Sequence, residues 1–335
     1  MGLGFPRATA RLKALGDVRL TVLFVDFPDA AASSTPETVF GIVSPISEEY
    51  FRAVSYGRMS LAYDPVLRWV RMRQPSTTYG ISSTGLTGAR HLAYIQEAVD
   101  QAGSSVDYSR ADGLLVLANP DAVAVSIGPG FLGDQLASGV EAGGRLFQNA
   151  ATSGHDLLHW GGFWANHELG HTLGLPDLYR YPPPSNRSVG MYSLMGDING
   201  PAREFFAFER WGVGWIDDFQ VACAGSGETR VTLTPIERAG GTKMIVVPIS
   251  ATAAVVAESR RIEGYDSGFT PGVLVYLVDT TMPTQQGPLR VLPINDVDLS
   301  KGGATLTAGR TVTYQGITVT VVGSDASGDE VQVVR

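Results

Sequence analysis

Cysteine is almost missing from this chain of 335 residues, in which Cys223 is the one example. The chain therefore has no internal disulfide, and zinc sites built from four thiolates are excluded. A lone cysteine is more often a small apolar side chain in a core than a nucleophile, so we expect Cys223 to be buried.

Charge is also scarce: 17% of the residues are charged, and the formal net charge at pH 7 is −8. Phosphate binding requires a clustered basic face, so this balance argues against a nucleic-acid partner. Apolar residues make up 44% of the chain. That share allows a substantial core and argues against disorder.

Long apolar runs are missing as well. No stretch approaches the roughly 20 apolar residues that a membrane-spanning helix requires, so we predict no membrane span. The chain starts Met-Gly-Leu-Gly-Phe-Pro-Arg, which lacks the basic-then-apolar order of a signal peptide. The residues themselves thus give no sign of secretion.

Up to about residue 222, patterns typical of strands alternate with patterns typical of helices. Continuous or alternating apolar residues predict strands, whereas apolar side chains spaced by three and four predict helices. The predicted strands are 20–27, 59–72 (one or two strands), 113–118 and 122–127, and the predicted helices are 44–54, 86–102, 163–173 and 205–211. Such alternation is typical of an α/β domain.

After about Cys223 the pattern changes to short β-rich runs separated by glycine and proline clusters. The runs predict an all-β module, and they are residues 231–234, 244–249, 273–278, 312–314 and 317–322. We therefore predict a boundary near residue 222, with a first domain of residues 1–222 and a second domain of residues 223–335.

The most specific chemical signal is the sequence His167-Glu168-Leu169-Gly170-His171. Two histidines four residues apart on a helix lie on one face, about 6 Å apart at Cβ, where both imidazoles can bind one zinc ion. Glu168 follows the first histidine and is placed to take a proton from water at the metal. The alternative interpretation is a helix with two surface histidines that bind no metal.

A catalytic zinc ion needs a third protein ligand and an open coordination position. Gly174 stands where the helix must stop, because glycine accepts the positive φ of a sharp turn. The next two residues lead to Asp177, whose carboxylate could return to the metal. Asp177 could instead form a turn after the preceding proline, and Glu204 and Glu209 compete with it as third ligands.

The stretch from His167 to Asp177 resembles the immune inhibitor A family of metallopeptidases, which reads His-Glu-x-Gly-His-x-Leu-Gly-x-Pro-Asp. It also resembles the extended metzincin pattern, with Asp in place of the third His. The family's usual Trp-Asp before its Met-turn is Tyr192-Ser193 here. Other segments that resemble the family are Val25-Asp26-Phe27-Pro28-Asp29, Ser55-Tyr56-Gly57, Ser193-Leu194-Met195-Gly196, Val213-Gly214-Trp215, Glu258-Ser259-Arg260 and Gly264-Tyr265-Asp266.

The resemblance implies an α+β fold: a zincin-type catalytic domain, with a twisted mixed sheet and an active-site helix, followed by a smaller all-β C-terminal domain. It implies a secreted zinc endopeptidase that cleaves protein or peptide substrates. Zinc would be held by His167, His171 and Asp177, and Glu168 would act as general base on water and then pass the proton to the leaving amine. Two other functions stay open: a binding protein with a catalytically degenerate zinc fold, and a metal-dependent amidase for small substrates.

Three further side chains or pairs each have two interpretations. His155 and His159 could form a second metal pair, or they could lie in a polar loop or short helix. Tyr192 could donate a hydrogen bond to an oxyanion, or it could pack beneath the site. For Met195 the two readings agree, since a methionine in the family's Met-turn would act by packing.

Five aspartates could belong either to a structural calcium site or to turns and caps. They are Asp26, Asp29, Asp197, Asp296 and Asp298. Calcium needs several oxygen ligands in flexible loops. No spacing here matches a defined calcium loop, which favours turn formation.

Overall fold

The computed structural model describes residues 3–136, 138–294, 298 and 300–335. The chain divides into two compact units. The first comprises Ala8–Ala53 and Gly57–Gly174, and the second comprises residues 3–7, Val54–Tyr56 and Leu175–Arg335. Within the described residues, no helix combines the length and the apolar character needed to cross a lipid bilayer.

The first unit is built on a mixed five-stranded sheet. The strands of this unit are β1 (Gly16–Asp26), β2 (Met59–Arg71), β3 (Gly113–Ala118), β4 (Gly130–Leu132), β5 (Val140–Ala142), β6 (Arg145–Phe147) and β7 (Asn149–Thr152). The sheet has the order β2-β1-β3-β7-β4, in which only β4 runs antiparallel to its neighbour. β5 and β6 form a separate two-stranded ribbon.

Five helices accompany this sheet. They are α1 (Pro36–Val43), α2 (Ile46–Val54), α3 (Gly88–Ala102), α4 (Leu157–Trp160) and α5 (Gly162–Leu173). Three of them, α2, α3 and α5, lie within a few residues of predicted helices, whereas the sequence patterns missed α1. The first unit is therefore a mixed α/β fold, as the alternating patterns predicted.

Burial explains why the central strands form. All six residues of β3 are buried, which is typical of a parallel strand covered on both faces. Side chains of β3 such as Leu114 and Val116 share one apolar core with Ile95 and Ala98 of α3. The apolar side chains whose spacing by three and four predicted this helix thus pack in the core.

The second unit is mostly β structure. Its described residues form one α-helix, α6 (Ala207–Gly212), and the strands β8 (Val221–Cys223), β9 (Glu228–Leu233), β10 (Met244–Pro248), β11 (Ala253–Arg260), β12 (Gly272–Asp279), β13 (Leu289–Val291), β14 (Thr311–Tyr314), β15 (Ile317–Ser324) and β16 (Asp329–Val334). They form two sheets, with the orders β13-β12-β11-β10-β8 and β14-β15-β16-β9. Val255 and Val275 of the first sheet share an apolar core with Val319 and Val331 of the second, as in a β-sandwich.

The second unit also buries charged side chains. The guanidinium of Arg260 is fully buried; its Nη1 donates to Glu258 Oε1 at 3.0 Å, and its Nε lies 2.9 Å from Asp266 Oδ2. Glu258 also accepts hydrogen bonds from the hydroxyl of Tyr276 at 2.8 Å and from the backbone N–H of Ala207 at 2.7 Å. Charged groups thus connect the start of α6 to β11 and β12.

The predicted boundary near residue 222 falls inside the second compact unit, whose longest segment begins at Leu175. The physical reason is that residues 175–222 are tied to the β strands that follow. Val291 N–H donates to the carbonyl of Ser188 at 2.9 Å, and Glu258 accepts from the N–H of Ala207. Local patterns along the chain do not reveal such long-range bonds.

Two sequence-based expectations are wrong. Residues 122–127 do not form a strand: they are turns and irregular backbone, and Val125 N–H donates to the carbonyl of Ala122. The fourth strand of the parallel set is β7, the short segment Asn149–Thr152. Cys223, expected to be buried, is exposed because it ends β8, the last strand of its sheet.

Candidate metal centre

The helix that carries the metal motif is α5, and glycines stand at both of its ends. Gly161 precedes it at φ 61°, and Gly174 follows it in the left-handed conformation at φ 103° and ψ 4°. The N–H of Gly174 donates to the carbonyls of Gly170 and His171. This left-handed cap favours glycine, which confirms the predicted stop at Gly174.

The two histidines of α5 face one another one helical turn apart. Their ring centroids are 4.8 Å apart, with an angle of 86° between the ring planes. The side chains of His167 and His171 are 3% and 8% exposed. The two histidines are therefore buried and do not lie on the protein surface, as the alternative interpretation expected.

Glu168 joins the two histidines in a candidate metal-binding group, in which the possible ligand atoms all lie within 4.8 Å of one another. Two imidazole nitrogens and a carboxylate oxygen are donors that divalent transition metals accept. The group could hold a metal ion, and the chemistry of its donors suits zinc.

The backbone of β4 holds the carboxylate of Glu168. Gly130 N–H donates to Glu168 Oε2 at 2.6 Å, which is short for a hydrogen bond from a backbone N–H. A Cβ atom added at Gly130 would lie 3.2 Å from both the Glu168 carbonyl oxygen and His171 Cβ. Glycine at this position thus lets the strand approach the helix closely enough to reach the carboxylate.

Sequence analysis missed Gly130. The one local signal is the cluster Gly128-Pro129-Gly130, which indicates a turn or a close backbone approach. It does not say which side chain the backbone approaches. That information comes only from the pairing of β4 with β7, which sets the short strand beside α5.

Further contacts fix α5 within the first unit. The indole Nε1 of Trp164 donates to the carbonyl of Gly128 at 2.8 Å, and the N–H of Leu12 donates to the carbonyl of Thr172 at 2.9 Å. The helix is therefore anchored near both ends, on the loop before β4 and on the N-terminal segment. Both anchors restrict movement of the two histidines.

Asp177, the predicted third ligand, belongs to the second unit and is 5% exposed. Its Oδ2 accepts hydrogen bonds from Gln285 Nε2 at 3.1 Å and from Thr284 Oγ1 at 3.4 Å. Its backbone N–H donates to Thr284 Oγ1 at 2.9 Å. The loop of residues 284–285 thus orients the carboxylate, and its role as a ligand stays a prediction.

The competing carboxylates are engaged inside the second unit. Glu204 forms a buried ion pair with Arg210 and accepts from the N–H of Tyr265 at 2.9 Å. Glu209 Oε2 accepts from Ser193 Oγ and from the N–H of Phe206, both at 2.8 Å. Burial raises the pKa of Glu209 to about 7. These contacts give both carboxylates a role in the fold.

The segment that resembles a Met-turn is a tight, buried turn. Ser193 has φ 69°, and its hydroxyl oxygen accepts from the N–H of Met195 at 3.1 Å while it donates to Glu209. Met195 is fully buried, as expected for a packing role. Tyr192 is also fully buried, with its ring 5.4 Å from that of Phe269, which favours the packing interpretation.

His155 and His159 do not form a second candidate metal group among the residues that the structure describes. Both are exposed. His155 Nδ1 lies 2.7 Å from the carbonyl oxygen of Pro120, and the ring of His159 packs edge-on against Trp160. Between them, Asp156 accepts from the N–H of Gly128 at 2.9 Å. The polar-segment interpretation is thus the better one.

The calcium candidates that the structure describes serve turns and ion pairs. Asp26 pairs with Arg71, Asp29 accepts from the N–H and hydroxyl of Ser76, Asp197 accepts from the N–H of Asn199, and Asp298 accepts from Ser300 and Lys301. None of the four joins a candidate metal group within the described part of the chain. Asp296, the fifth candidate, lies outside the described residues.

Comparison with known protein families and with characterised proteins finds no match for this chain. Its function therefore has to be inferred from the geometry of the site.

Proposed function

We propose that this chain is a zinc-dependent endopeptidase with a zincin-type catalytic domain. The observation that carries the proposal is the buried pair His167 and His171, one turn apart, beside a carboxylate held by a strand of the sheet. A helix with two unused histidines has no need of such an arrangement. The sequence resemblance to immune inhibitor A metallopeptidases supports the same proposal, and with it an extracellular location.

His167 and His171 would hold the zinc ion through their imidazole nitrogens. When bound, zinc supplies Lewis acidity, which polarises a carbonyl group and makes water a stronger acid. The two rings are kept in place because α5 is anchored at Leu12 and at Gly128. Their burial excludes bulk water from the ring faces and strengthens electrostatic interactions at the site.

Glu168 would act as the general base. Its Oε2 is held by the N–H of Gly130, which fixes the direction of the carboxylate relative to the two imidazoles. The carboxylate would accept the proton of the attacking water and then deliver it to the leaving amine. A purely structural metal site has no need of such a base.

The position of β4 supports a peptide as the substrate. β4 ends the five-stranded sheet, so no other described strand pairs with its outer edge. The N–H of Gly130 already points away from β7 toward Glu168. An extended peptide can add to such an edge by backbone hydrogen bonds, whereas a small amide cannot use it. This favours an endopeptidase over an amidase for small substrates.

Asp177 is the third ligand that we propose. Hydrogen bonds from Gln285 and Thr284 orient its carboxylate, as supporting residues commonly do for metal ligands. Glu204 and Glu209 are less suitable, because Arg210 neutralises the first and the second accepts hydrogen bonds from Ser193 and Phe206.

Zinc content and casein digestion, each with and without a chelator, test the proposal. We expect Glu168→Gln to keep the zinc ion and the fold but to lose activity by about 100-fold to 10,000-fold, the range for removal of a general base. His171→Ala and Asp177→Ala should lose zinc as well. Zinc-free wild-type protein, or full activity in Glu168→Gln, would refute the assignment.

His159→Ala, at an exposed histidine outside the group, is the matched control and should retain both zinc and activity.

A further inference from the structure

A buried hydroxyl and a buried imidazole lie behind the peptide unit that holds Glu168. That unit joins Pro129 to Gly130, and its N–H donates to Glu168 Oε2 at 2.6 Å. Its carbonyl oxygen accepts from both the N–H and the hydroxyl of Thr152, each at 3.2 Å. The hydroxyl oxygen lies 2.9 Å from Nε2 of His91. A continuous chain of hydrogen bonds thus runs from His91 to Glu168.

This chain of hydrogen bonds links three elements of the first unit. His91 lies in α3, Thr152 ends β7, and Gly130 begins β4. Thr152 is fully buried, and His91 is 3% exposed, with its ring edge-on to Phe131 at 5.5 Å. The two polar side chains therefore sit in the interior, where an unmade hydrogen bond is costly.

The directions of the hydrogen bonds follow from the chemistry of the groups. Burial lowers the pKa of His91 to about 4, so the ring is neutral near pH 7. A threonine hydroxyl has one proton, which goes to the carbonyl of Pro129. Nε2 of His91 then carries the imidazole proton and donates to the threonine oxygen. Every donor in this chain of hydrogen bonds consequently points toward Glu168.

We propose that Thr152 and His91 are positioning residues for Glu168, and that they act through the Pro129–Gly130 peptide unit. The inference rests on the proposed peptidase function, in which Glu168 is the base. Donors at the carbonyl of a peptide unit polarise it and strengthen the hydrogen bond that its N–H makes. They also fix the plane of the unit, so that the N–H is directed at the carboxylate.

Strand pairing by itself does not require these two side chains. Backbone bonds already join β4 to β7, from Thr152 N–H to the carbonyl of Pro129 and from Gly133 N–H to the carbonyl of Gln148. Apolar side chains of similar shape would fill the same space without buried polar groups. The position of the hydroxyl, directly behind the peptide unit that holds Glu168, is what a role in orientation explains.

Kinetics of Thr152→Val and Thr152→Ser test the proposal. Valine keeps the shape but removes the hydroxyl, and we expect kcat to fall about threefold to tenfold, the range for one neutral hydrogen bond, with KM and zinc content unchanged. Serine retains the hydroxyl and should stay within about twofold of wild type. His91→Leu, which acts one step further away, should lower kcat less than Thr152→Val. A serine variant as slow as the valine variant would overturn the proposal.

The amide of Gly130 gives a readout that does not depend on activity. The chain contains two Pro–Gly pairs, Pro129–Gly130 and Pro271–Gly272, so NMR on protein with ¹³C-carbonyl proline and ¹⁵N-glycine yields two amide signals. A short hydrogen bond to a carboxylate moves the Gly130 proton downfield. We expect Thr152→Val to move it upfield, Thr152→Ser to leave it near its wild-type position, and Gly272 to stay unchanged as the internal control.

These measurements separate the inference from the proposed function. If the wild-type protein binds zinc and cleaves peptides, but neither kcat nor the Gly130 signal responds to Thr152→Val, the positioning role is wrong. If zinc binding and activity are missing from the wild-type protein, the proposed function is wrong, and with it the role of Glu168 that the inference serves. A parallel response of kcat and of the Gly130 signal supports both.

Discussion

Glu168 of the first unit and the acidic pair Glu258 and Asp266 of the second unit are held in different ways. In the first unit, Glu168 is half-buried and receives the neutral N–H of Gly130. In the second unit, Glu258 and Asp266 are almost completely buried beside the guanidinium of Arg260. The N–H of Gly130 positions the carboxylate of Glu168 beside the two histidines, whereas the buried guanidinium ties Glu258 and Asp266 into the second unit.

Two buried groups, one in each unit, also affect stability with opposite dependence on pH. Burial lowers the pKa of His91 in the first unit to about 4 and raises the pKa of Glu209 in the second to about 7. Acid therefore destabilises the first unit through protonation of His91, and alkali destabilises the second unit through ionisation of Glu209. Substitutions in each unit can test this contrast.

Removal of the buried cation should have the largest effect on stability. Arg260→Met leaves Glu258 and Asp266 without their guanidinium partner, so we expect a loss of about 3–5 kcal/mol in the free energy of unfolding. Denaturant unfolding measures the loss, and hydrogen exchange shows where it falls. Exchange should increase in β11 and β12 and not in β1 or β3, because the substitution lies in the second unit.

Arg230→Met is the matched control for that experiment. Arg230 pairs with Glu228 at 3.0 Å, but both side chains are more than half exposed. An exposed ion pair contributes about 0–1 kcal/mol, so the control should change stability little. Equal effects of the two substitutions would contradict the view that burial gives the Arg260 network its importance.

Glu209→Gln should change the alkaline response of the second unit. Because the folded pKa of about 7 exceeds the ordinary value of 4.5, the stabilising contribution is complete below pH 4.5 and is lost as the pH rises through 7. The loss amounts to about 3 kcal/mol by about pH 8. Glutamine cannot ionise, so its unfolding free energy should vary less between pH 5 and pH 8. If the unfolding free energy of Glu209→Gln varies with pH as it does in the wild-type protein, Glu209 is not the group that causes the alkaline loss of stability.

The sequence predicted the helix of the metal site but not the strand that serves it. The spacing of His167 and His171 and the stop at Gly174 are local features, so they were sufficient to place α5. The segments β4 and β7 have three and four residues, too short to show an alternating pattern. Their place is set by the pairing of β7 with β3 and of β4 with β7, contacts between segments distant in the chain.

The same reasoning explains which acidic residues were difficult to assign. Glu168 was identified because its place next to His167 is a sequence feature. Glu204 and Glu209 could not be separated from Asp177 by sequence, because their partners depend on tertiary structure. Arg210 and Ser193 engage the two glutamates in the folded chain, and no spacing rule predicts either contact.

The acid response of His91 should be the smallest of the effects on stability. Its folded pKa of about 4 lies below the ordinary value of 6.5, so its contribution is complete above pH 6.5 and is lost as the pH falls through 4. The loss reaches about 2 kcal/mol at about pH 5. We expect His91→Leu to abolish this part of the acid response, which hydrogen exchange of α3 and β3 measures at pH 7 and pH 5.

His159→Gln provides the control, since His159 is exposed and its replacement should leave the acid response intact. If the acid-induced loss of stability persists in His91→Leu, groups other than His91 are responsible for it. The contrast between His91 and Glu209 would then be lost. If the acid-induced loss of stability disappears in His91→Leu while the loss assigned to Glu209 at alkaline pH remains, each unit carries its own titrating group. The two groups then change the unfolding free energy in opposite directions as the pH rises.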